Sequence, residues 1–346
     1  MTNTKFRRLR WLVDLLCGAY TLGLALFLAL RLLWGDSLWW LAFAGNFTPF
    51  YFAPLLVLLP LALVVRARRA ALLVLPLLLI GVLWFGRLYL PRTAAAAPDA
   101  PTLRVVTFNV WGDNPDLTRI EDWLRAQDAD VAITIETPPA WSAGVSALAD
   151  IYPEQPRTDT QGVYWDSLIL SRHPVVSSEQ FDLGDGEIPQ QRVVVDVGGR
   201  QVAVYGIHLY LPLGAKPHLP VPNNYYMRGI FGYDDSARDA QIANLIDRLQ
   251  TEPLPYVVAG DFNMSDQASA YADLAAVMND SFREMGRGMG TSWPAVQALG
   301  FPADPAAGAH RLHLAQRRLP RARSRAGTVS RLEITCRCTR RALALE

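Results

Sequence analysis

Five polar side chains that could take part in catalysis directly follow apolar, β-branched runs of the chain. The clearest run is "VVAGDFN", residues 257–263, where a strand-like segment finishes on an acid and an amide. The five residues are Asn109, Glu136, His208, Asp261 and Asn263. Because ligand sites of layered α/β domains form at the carboxyl ends of strands, we expect these side chains to share one site.

Their chemistry favours a hard divalent cation and a phosphate. Mg²⁺ prefers one or two carboxylates, keeps several waters and leaves positions for substrate phosphate, which makes Glu136 the natural ligand. Asp261, beside Asn263, could orient or deprotonate an attacking water, and His208 could stabilise or protonate the opposite side of the phosphorus. Each residue alone also fits a turn, a cap or a satisfied core histidine, but their coincidence favours a site.

The elements that must position these residues alternate between strands and helices. Strand-like runs include "TLRVVTFN", "VAITIE", "DSLILS", "RVVVDV", "QVAVYGIH" and "PYVVAGD". Helical spacing of apolar residues marks "DLTRIEDWLRAQDAD" and "SARDAQIANLIDRLQ", the second starting at Ser236. The pattern predicts an α/β domain over residues 102–302, after an Ala- and Pro-rich linker at 93–101.

Charge is distributed unevenly along the chain. The whole sequence has a formal charge of +1, yet residues 98–302 carry 13 Lys and Arg against 27 Asp and Glu. An acidic domain repels polyanions, so a stable complex with long nucleic acid is disfavoured, whereas a cation-dependent site fits.

Three apolar stretches precede the linker and predict transmembrane helices at about 11–34, 41–65 and 71–90. Basic residues cluster before the first stretch, within residues 1–10, and between the second and third, at residues 66–69. The positive-inside rule places both clusters on the cytoplasmic side. We therefore expect a multi-pass protein of the cell (inner) membrane, in contact with the lipid bilayer, with its carboxy-terminal domain outside the cytoplasm. Asp14 and Arg31, near the ends of the first helix, are expected to snorkel.

The motifs "TFNVWG", "DVAITIET", "LILSRHPVV", "YGIHL" and "VVAGDFN", in this order, resemble the endonuclease/exonuclease/phosphatase superfamily. The likeness is greatest to bacterial members that carry amino-terminal membrane helices. It implies a four-layered α/β sandwich, in which helices flank two mixed sheets, and phosphoester hydrolysis dependent on Mg²⁺, with Mn²⁺ as the alternative ion.

The resemblance also implies a role for each matched residue. Asn109 and Glu136 belong to the metal side of the site, and His208 contacts substrate phosphate. Asp261 and Asn263 handle the attacking water. The sixth matched residue, Arg172 of "SRHP", has a structural role near the site.

Residues 303–346 depart from the family pattern. Its final motifs, an Arg-Ile-Asp-Tyr-like strand and a Ser-Asp-His, are missing, and Arg becomes abundant. If the codons of "AHRLHL", residues 309–314, are read one nucleotide later, they permit Arg-Ile-Asp-Tyr-Ile. We therefore hypothesise a frameshift between the codons of about Trp293 and Ala309, with a basic interaction tail as the alternative. The tail as written predicts unpaired sheet edges, and neither His310 nor His313 is expected to replace the missing pair.

These observations predict a membrane-anchored phosphodiesterase or phosphatase that acts on a small or lipid-like phosphoester. An extracytoplasmic nuclease and a non-catalytic, degenerate membrane protein are the alternatives. The loop at residues 210–235 directly follows the His208 strand. It could cover the site with its aromatic residues or form an Ω-loop packed on itself.

Overall fold

The computed structural model describes residues 2–90, 102–141, 144–156, 166–184, 188–290, 315–316 and 333–335. The predicted linker at 93–101 lies outside these residues. The chain divides into two compact units. The first comprises Met1–Pro91, Leu213–Asp234 and Met264–Ala272, and the second comprises Arg92–Pro212, Asp235–Asn263 and Asp273–Glu346.

The described helices and strands follow the order expected from the sequence. The helices are α1 (Thr2–Trp34), α2 (Trp39–Gly45), α3 (Leu55–Val64), α4 (Arg68–Phe85), α5 (Leu117–Ala126), α6 (Tyr225–Phe231), α7 (Ser236–Thr251), α8 (Ser269–Val277) and α9 (Ser281–Met285). The strands are β1 (Thr102–Asn109), β2 (Val131–Ile135), β3 (Ser167–Ser171), β4 (Val175–Phe181), β5 (Gln190–Asp196), β6 (Gln201–His208), β7 (Tyr256–Asp261), β8 (Asn279–Asp280), β9 (Ala315–Gln316) and β10 (Glu333–Thr335).

In the first unit, two helices, α1 and α4, are long and apolar enough to cross a membrane. The predicted second span, residues 41–65, is not one straight helix. Its parts, α2 and the segment Thr48–Val64, meet at a bend of 71°, so the described residues contain two candidate spans, or three if the bent pair is one span. Pro49, four residues after Gly45, lacks the N–H that would continue the α2 hydrogen-bond pattern, which favours a break there.

Small and apolar side chains hold α1, α3 and α4 together. Cys17, Leu55, Ala62 and Val74 are fully buried in their shared core. Asp14 was expected to snorkel, but its Oδ1 accepts a hydrogen bond of 3.1 Å from the backbone N–H of Ala70, in the first turn of α4. This contact satisfies one of the unpaired donors that begin every helix.

The second unit contains two mixed β-sheets. The first has the strand order β10-β1-β2-β3, and the second has the order β4-β5-β6-β7-β9-β8. The neighbours β1 and β2 are parallel, as are β6 and β7. The sheets pack closely at Gly206, where an added Cβ would lie 3.2 Å from Cγ2 of Ile133.

Helices flank the sheets and complete the predicted α/β sandwich. On the first sheet, Ile120 and Leu124 of α5 pack in one core cluster with Phe108 and Leu168. On the second, α7 starts at Ser236 as predicted and places its Arg248 guanidinium 4.0 Å from the centre of the Phe181 ring. The predicted fold class is confirmed, apart from the number of membrane helices.

The structure gives part of the 303–346 tail a role in the sheets. β9 pairs with β7, and β10 pairs with β1. The expectation that these sheet edges stay unpaired is therefore wrong, since an extended backbone can supply ladder hydrogen bonds whatever its side chains. His310 and His313 lie outside the described residues.

Candidate active site

The carboxyl ends of four strands bring most of the predicted site residues together. Asn109 ends β1 and pairs in register with Ile135, directly before Glu136. His208 ends β6 and pairs in register with Asp261, the last residue of β7. Each sheet therefore contributes two neighbouring strand ends, as the sequence pattern predicted.

The Asn109 side chain connects the two sheets at this site. Its Nδ2 donates hydrogen bonds to Oε1 of Glu136 at 2.8 Å and to Oδ2 of Asp261 at 3.2 Å. Its Oδ1 accepts the backbone N–H of Trp111 at 3.0 Å. A neutral amide thus holds two carboxylates together, and its N–H donors occupy the place where positive charge would be most favourable.

His208 is fixed at both its ring and its backbone. Ring Nδ1 lies 2.7 Å from Oδ2 of Asp166, and Nε2 lies 3.9 Å from Oε1 of Glu136. The backbone of His208 exchanges two hydrogen bonds with the side chain of Gln190. Because an ionised carboxylate only accepts hydrogen bonds, Nδ1 carries a proton and Nε2 is the ring atom that turns toward the carboxylates.

Asp166 is a site residue that the sequence interpretation missed. It is buried, and its backbone carbonyl accepts hydrogen bonds from the backbone N–H (3.0 Å) and Oγ1 (3.1 Å) of Thr137. The sequence feature that could have indicated this residue is an acid directly before the strand-like run "SLILS". Since β3 is antiparallel to β2, the amino end of β3 lies beside the carboxyl end of β2.

The charge around His208 changes its proton affinity. Burial alone lowers the pKa of His208. The hydrogen bond and the negative charge of Asp166 raise this pKa, and the negative charges of Asp261 and Glu136 raise it further. The net result is a raised pKa. The imidazolium is therefore favoured, and a cationic donor suits an anionic phosphate.

Asn263 supports the turn that follows β7. Its backbone N–H donates to Oδ1 of Asp261 at 3.0 Å, and its Nδ2 donates to the carbonyl of Leu209 at 2.8 Å. The fully buried Arg238 donates from Nη1 to the Asn263 carbonyl at 3.1 Å. These contacts fix the Asp261 carboxylate, while the role of the Asn263 amide toward water stays a prediction.

Backbone strain is concentrated at this site. Trp111, Glu136 and Asn263 have φ values of +59°, +53° and +47°, and only two other non-glycine residues of the described chain have positive φ. Such conformations cost on the order of 1–3 kcal/mol each and persist where the surrounding structure enforces them. The Trp111 side chain is more than half exposed beside Asn109.

Arg172 lies at the other end of β2 from Glu136. It follows β3, and its guanidinium donates to Oδ1 of Asp128 at 2.7 Å and lies over the Tyr152 ring. Its backbone N–H donates to the carbonyl of Asp130, directly before β2. These contacts agree with a structural role, but the expectation that Arg172 is near the site is wrong because β2 and β3 are antiparallel.

The donor set fits a hard cation that retains waters. Within the described ranges, no group of three or more His, Cys, Asp and Glu residues is placed to hold a metal ion. Glu136 is about one-third exposed and lies next to an amide, Asn109. Asn109 presents its Nδ2 to Glu136, and its Oδ1 is held by Trp111, so the Glu136 carboxylate is the ligand that this geometry offers directly. One carboxylate, completed by water and substrate, is an arrangement that Mg²⁺ accepts.

Comparison with known protein families identifies the family of the second unit. The model of the Endonuclease/Exonuclease/phosphatase family matches residues 106–319, which is more than half of the chain and extends beyond the predicted end at residue 302. The chain belongs to this family. No curated protein sequence matches the chain.

Three solved structures are among those similar to the chain. Sphingomyelinase C from Streptomyces griseocarneus is 18% identical, with 64% of this chain and 84% of that chain covered and a TM-score of 0.43. A beta hairpin deletion mutant of beta toxin from Staphylococcus aureus is 16% identical, with 70% and 94% covered and a TM-score of 0.46. TDP2 from D. rerio, complexed with single strand DNA product, is 16% identical, with 64% and 85% covered and a TM-score of 0.45.

Proposed function

We propose that the chain is a membrane-anchored, Mg²⁺-dependent phosphoester hydrolase whose second unit acts outside the cytoplasm. The observation that carries the proposal is the double hydrogen bond from Asn109 to Glu136 and Asp261, with His208 and Asp166 adjoining. The arrangement gathers two carboxylates, an amide and a cationic histidine at strand ends. A purely structural network would gain little from keeping two carboxylates this close.

Glu136 and Asn109 are the residues that would hold Mg²⁺, which supplies charge stabilisation for the phosphoryl oxygens when bound. His208 contributes a second positive charge. With Nδ1 held by Asp166, the Nε2–H of the imidazolium can donate to a phosphate oxygen. Asp166 does not touch substrate in this account, so we assign it as the residue that positions His208.

Asp261 is the proposed base for the attacking water. A water oxygen forms a bond to phosphorus while the bond from phosphorus to the leaving oxygen breaks, and Asp261 accepts a proton from the water. The leaving alkoxide takes a proton from His208 or from solvent. The products of a diester are an alcohol and a phosphomonoester, so atoms and charge balance without an oxidant or a further co-reactant.

The substrate we propose is a small or lipid-like phosphoester. The first unit contributes two or three candidate membrane spans, and residues 98–302 carry an excess of acids. An acidic domain near a bilayer disfavours long nucleic acid at ordinary salt and permits a compact anionic group that one histidine and one cation can neutralise.

A non-catalytic role is the second candidate, because the sequence from residue 303 onward contains no Ser-Asp-His. In that case the second unit binds a phosphoester without cleaving it. An extracytoplasmic nuclease differs from the main proposal only in substrate. It predicts cleavage of short oligonucleotides in preference to small diesters.

Hydrolysis of bis(p-nitrophenyl) phosphate by the detergent-solubilised full chain tests the proposal. We expect release of p-nitrophenol with Mg²⁺, none with EDTA, and a loss of at least about a hundredfold in Asp261→Ala. Asp150→Ala is the matched control, because Asp150 is a surface carboxylate whose partner is Arg125. A folded chain without Mg²⁺-dependent activity supports the non-catalytic role.

A further inference from the structure

The segment Leu213–Asp234, here named the interfacial segment, belongs by its contacts to the first unit, with the candidate membrane helices. Its His218 ring stacks on Trp39 of α2, with centroids 4.8 Å apart and planes 21° apart. Its Tyr233 packs edge-on against Phe43, 5.8 Å between centroids, and its hydroxyl accepts a hydrogen bond of 3.1 Å from Asn46. The interfacial segment is therefore held by α2 and the residue after it, close in sequence to the carboxyl end of α1.

A second segment, Met264–Ala272, is held at the same end of the helices. Arg31 of α1 donates from Nη2 to the carbonyl of Gln267 at 2.7 Å, and so contacts protein where snorkelling was expected. Asp36 accepts the backbone N–H of Ser269 at 2.6 Å. Two polar contacts thus join the end of α1 and the residues after it to a segment that begins directly after Asn263.

The interfacial segment exposes large apolar and aromatic side chains. Tyr225 and Tyr226 of α6 are 63% and 76% exposed, and Leu219 and Ile230 are nearly half exposed. Arg228 lies on the same short helix, but its guanidinium turns back to the segment and donates to the carbonyl of Gly214. The exposed surface of the helix therefore remains mainly apolar and aromatic. Tyrosines beside aliphatic side chains are typical of the boundary between lipid headgroups and acyl chains.

Membrane helices limit where such a surface can lie. If α1 crosses the bilayer, Trp34 and Trp39 mark its outer boundary, and segments bonded to α2 lie at that boundary. Leu32 and Leu33 at the end of α1 and Trp40 of α2 are also exposed, so the helix end that holds the interfacial segment has the same apolar character. A bilayer is the occupant that this shared character indicates, since it needs no further protein.

We propose that the interfacial segment lies in the headgroup layer, with Tyr225, Tyr226 and Ile230 at the acyl boundary, and that the substrate is the phosphodiester headgroup of a lipid in the same membrane. The substrate part rests on the proposed function. His208 precedes Leu213 by five residues, so an extended chain limits their separation to about 17 Å. Met264 follows Asn263 directly. The chain therefore connects both strand ends to segments of the first unit over five residues or fewer.

Nitroxide depth measurements test the position of the segment. The full chain, with Cys17→Ala, Cys336→Ser and Cys338→Ser, is labelled at Tyr226→Cys in vesicles of phosphatidylcholine and phosphatidylglycerol. We expect greater collision with oxygen than with an aqueous nickel chelate. A label at Val176→Cys, an exposed apolar site of β4 in the second unit, serves as the matched control and should show the reverse. Equal access of the nickel chelate to both labels overturns the proposal. If Tyr226→Cys fails to fold, the same measurement is made with a label at Leu219→Cys.

Hydrolysis tests the substrate. Tyr225→Ser with Tyr226→Ser should lower the rate on phosphatidylglycerol vesicles by about tenfold or more and leave bis(p-nitrophenyl) phosphate hydrolysis unchanged. Val176→Ser should change neither rate. An equal fall on both substrates overturns the assignment. If the unsubstituted chain cleaves the soluble diester but no vesicle lipid, only the proposed lipid substrate is overturned. If it cleaves neither substrate, the proposed hydrolase function is overturned. The depth measurement then still decides whether the interfacial segment lies in the headgroup layer.

Discussion

Nδ1 of His208 lies 2.7 Å from Oδ2 of Asp166, and both residues are buried. The contact joins β6 of one sheet to the residue before β3 of the other. It determines which ring nitrogen holds the proton and leaves Nε2 directed toward Glu136, at 3.9 Å. In this arrangement Asp166 prepares His208 to act as a cationic donor.

Replacement of Asp166 by Asn should shift the pH dependence of the enzyme. The raised pKa of His208 depends on the hydrogen bond and charge of Asp166, so Asp166→Asn should lower that pKa and move the alkaline limb of the rate profile to lower pH. We also expect kcat/KM at neutral pH to fall by about tenfold or more, because a hydrogen bond to a charged group is worth roughly 1.5–3 kcal/mol.

The raised pKa of His208 also determines how the free energy of unfolding changes with pH. Because the folded-state pKa of His208 is raised, its contribution to the free energy of unfolding is complete below the unfolded pKa and is lost as pH rises through the folded pKa. Asp166→Asn should reduce that pH-dependent part. Asp150→Asn, which removes a surface carboxylate, is the control, and an unchanged alkaline limb in Asp166→Asn would contradict the positioning role.

Replacement of Asn109 by Asp should make folding depend on the cation. The amide donates to Glu136 and Asp261, so a third carboxylate in its place would be buried without a partner. We expect the free energy of unfolding in EDTA to fall by about 3 kcal/mol and to recover with Mg²⁺, which binds the folded state. Asn109→Ala is the control, since it removes both hydrogen bonds without adding charge. A loss in Asn109→Asp that is equal with EDTA and with Mg²⁺ argues against a cation at this position.

Replacement of Gly260 by Ala should disturb the strand end that carries Asp261. Gly260 has a φ of +155°, and an added Cβ would overlap the carbonyl group of Ile207 on the neighbouring strand. We expect the free energy of urea unfolding to fall by about 3 kcal/mol or more. Gly198→Ala separates the causes, since Gly198 also has positive φ but has open space around it. A similar loss in both variants would show that backbone strain, and not overlap, decides the effect.

The strands and helices of the second unit were predictable because their signals are local. Apolar, β-branched runs located β1, β2, β6 and β7, and polar residues at their carboxyl ends located Asn109, Glu136, His208 and Asp261. Asp166 was missed because the rule of carboxyl ends fails for an antiparallel strand, whose amino end reaches the site. Arg172 was placed wrongly for the same reason.

Long-range contacts account for what the sequence did not predict in the first unit. Arg31 and Gln267 are 236 residues apart, and no local pattern connects them. The grouping of the interfacial segment with the helices depends on such contacts, as does the hydrogen bond between Asp14 and the first turn of α4. Pro49 partly indicated the bend between α2 and Thr48, but prolines also occur inside membrane helices, so this residue did not decide it.

The Mg²⁺ dependence of hydrolysis, compared between the chain and Glu136→Gln, decides whether Glu136 holds the cation. If Glu136 is that carboxylate, the Mg²⁺ concentration that gives half-maximal hydrolysis of bis(p-nitrophenyl) phosphate should rise by about tenfold or more in Glu136→Gln, and should stay unchanged in Asp150→Asn. Hydrolysis that continues in EDTA, or an identical Mg²⁺ curve in the chain and in Glu136→Gln, would contradict it.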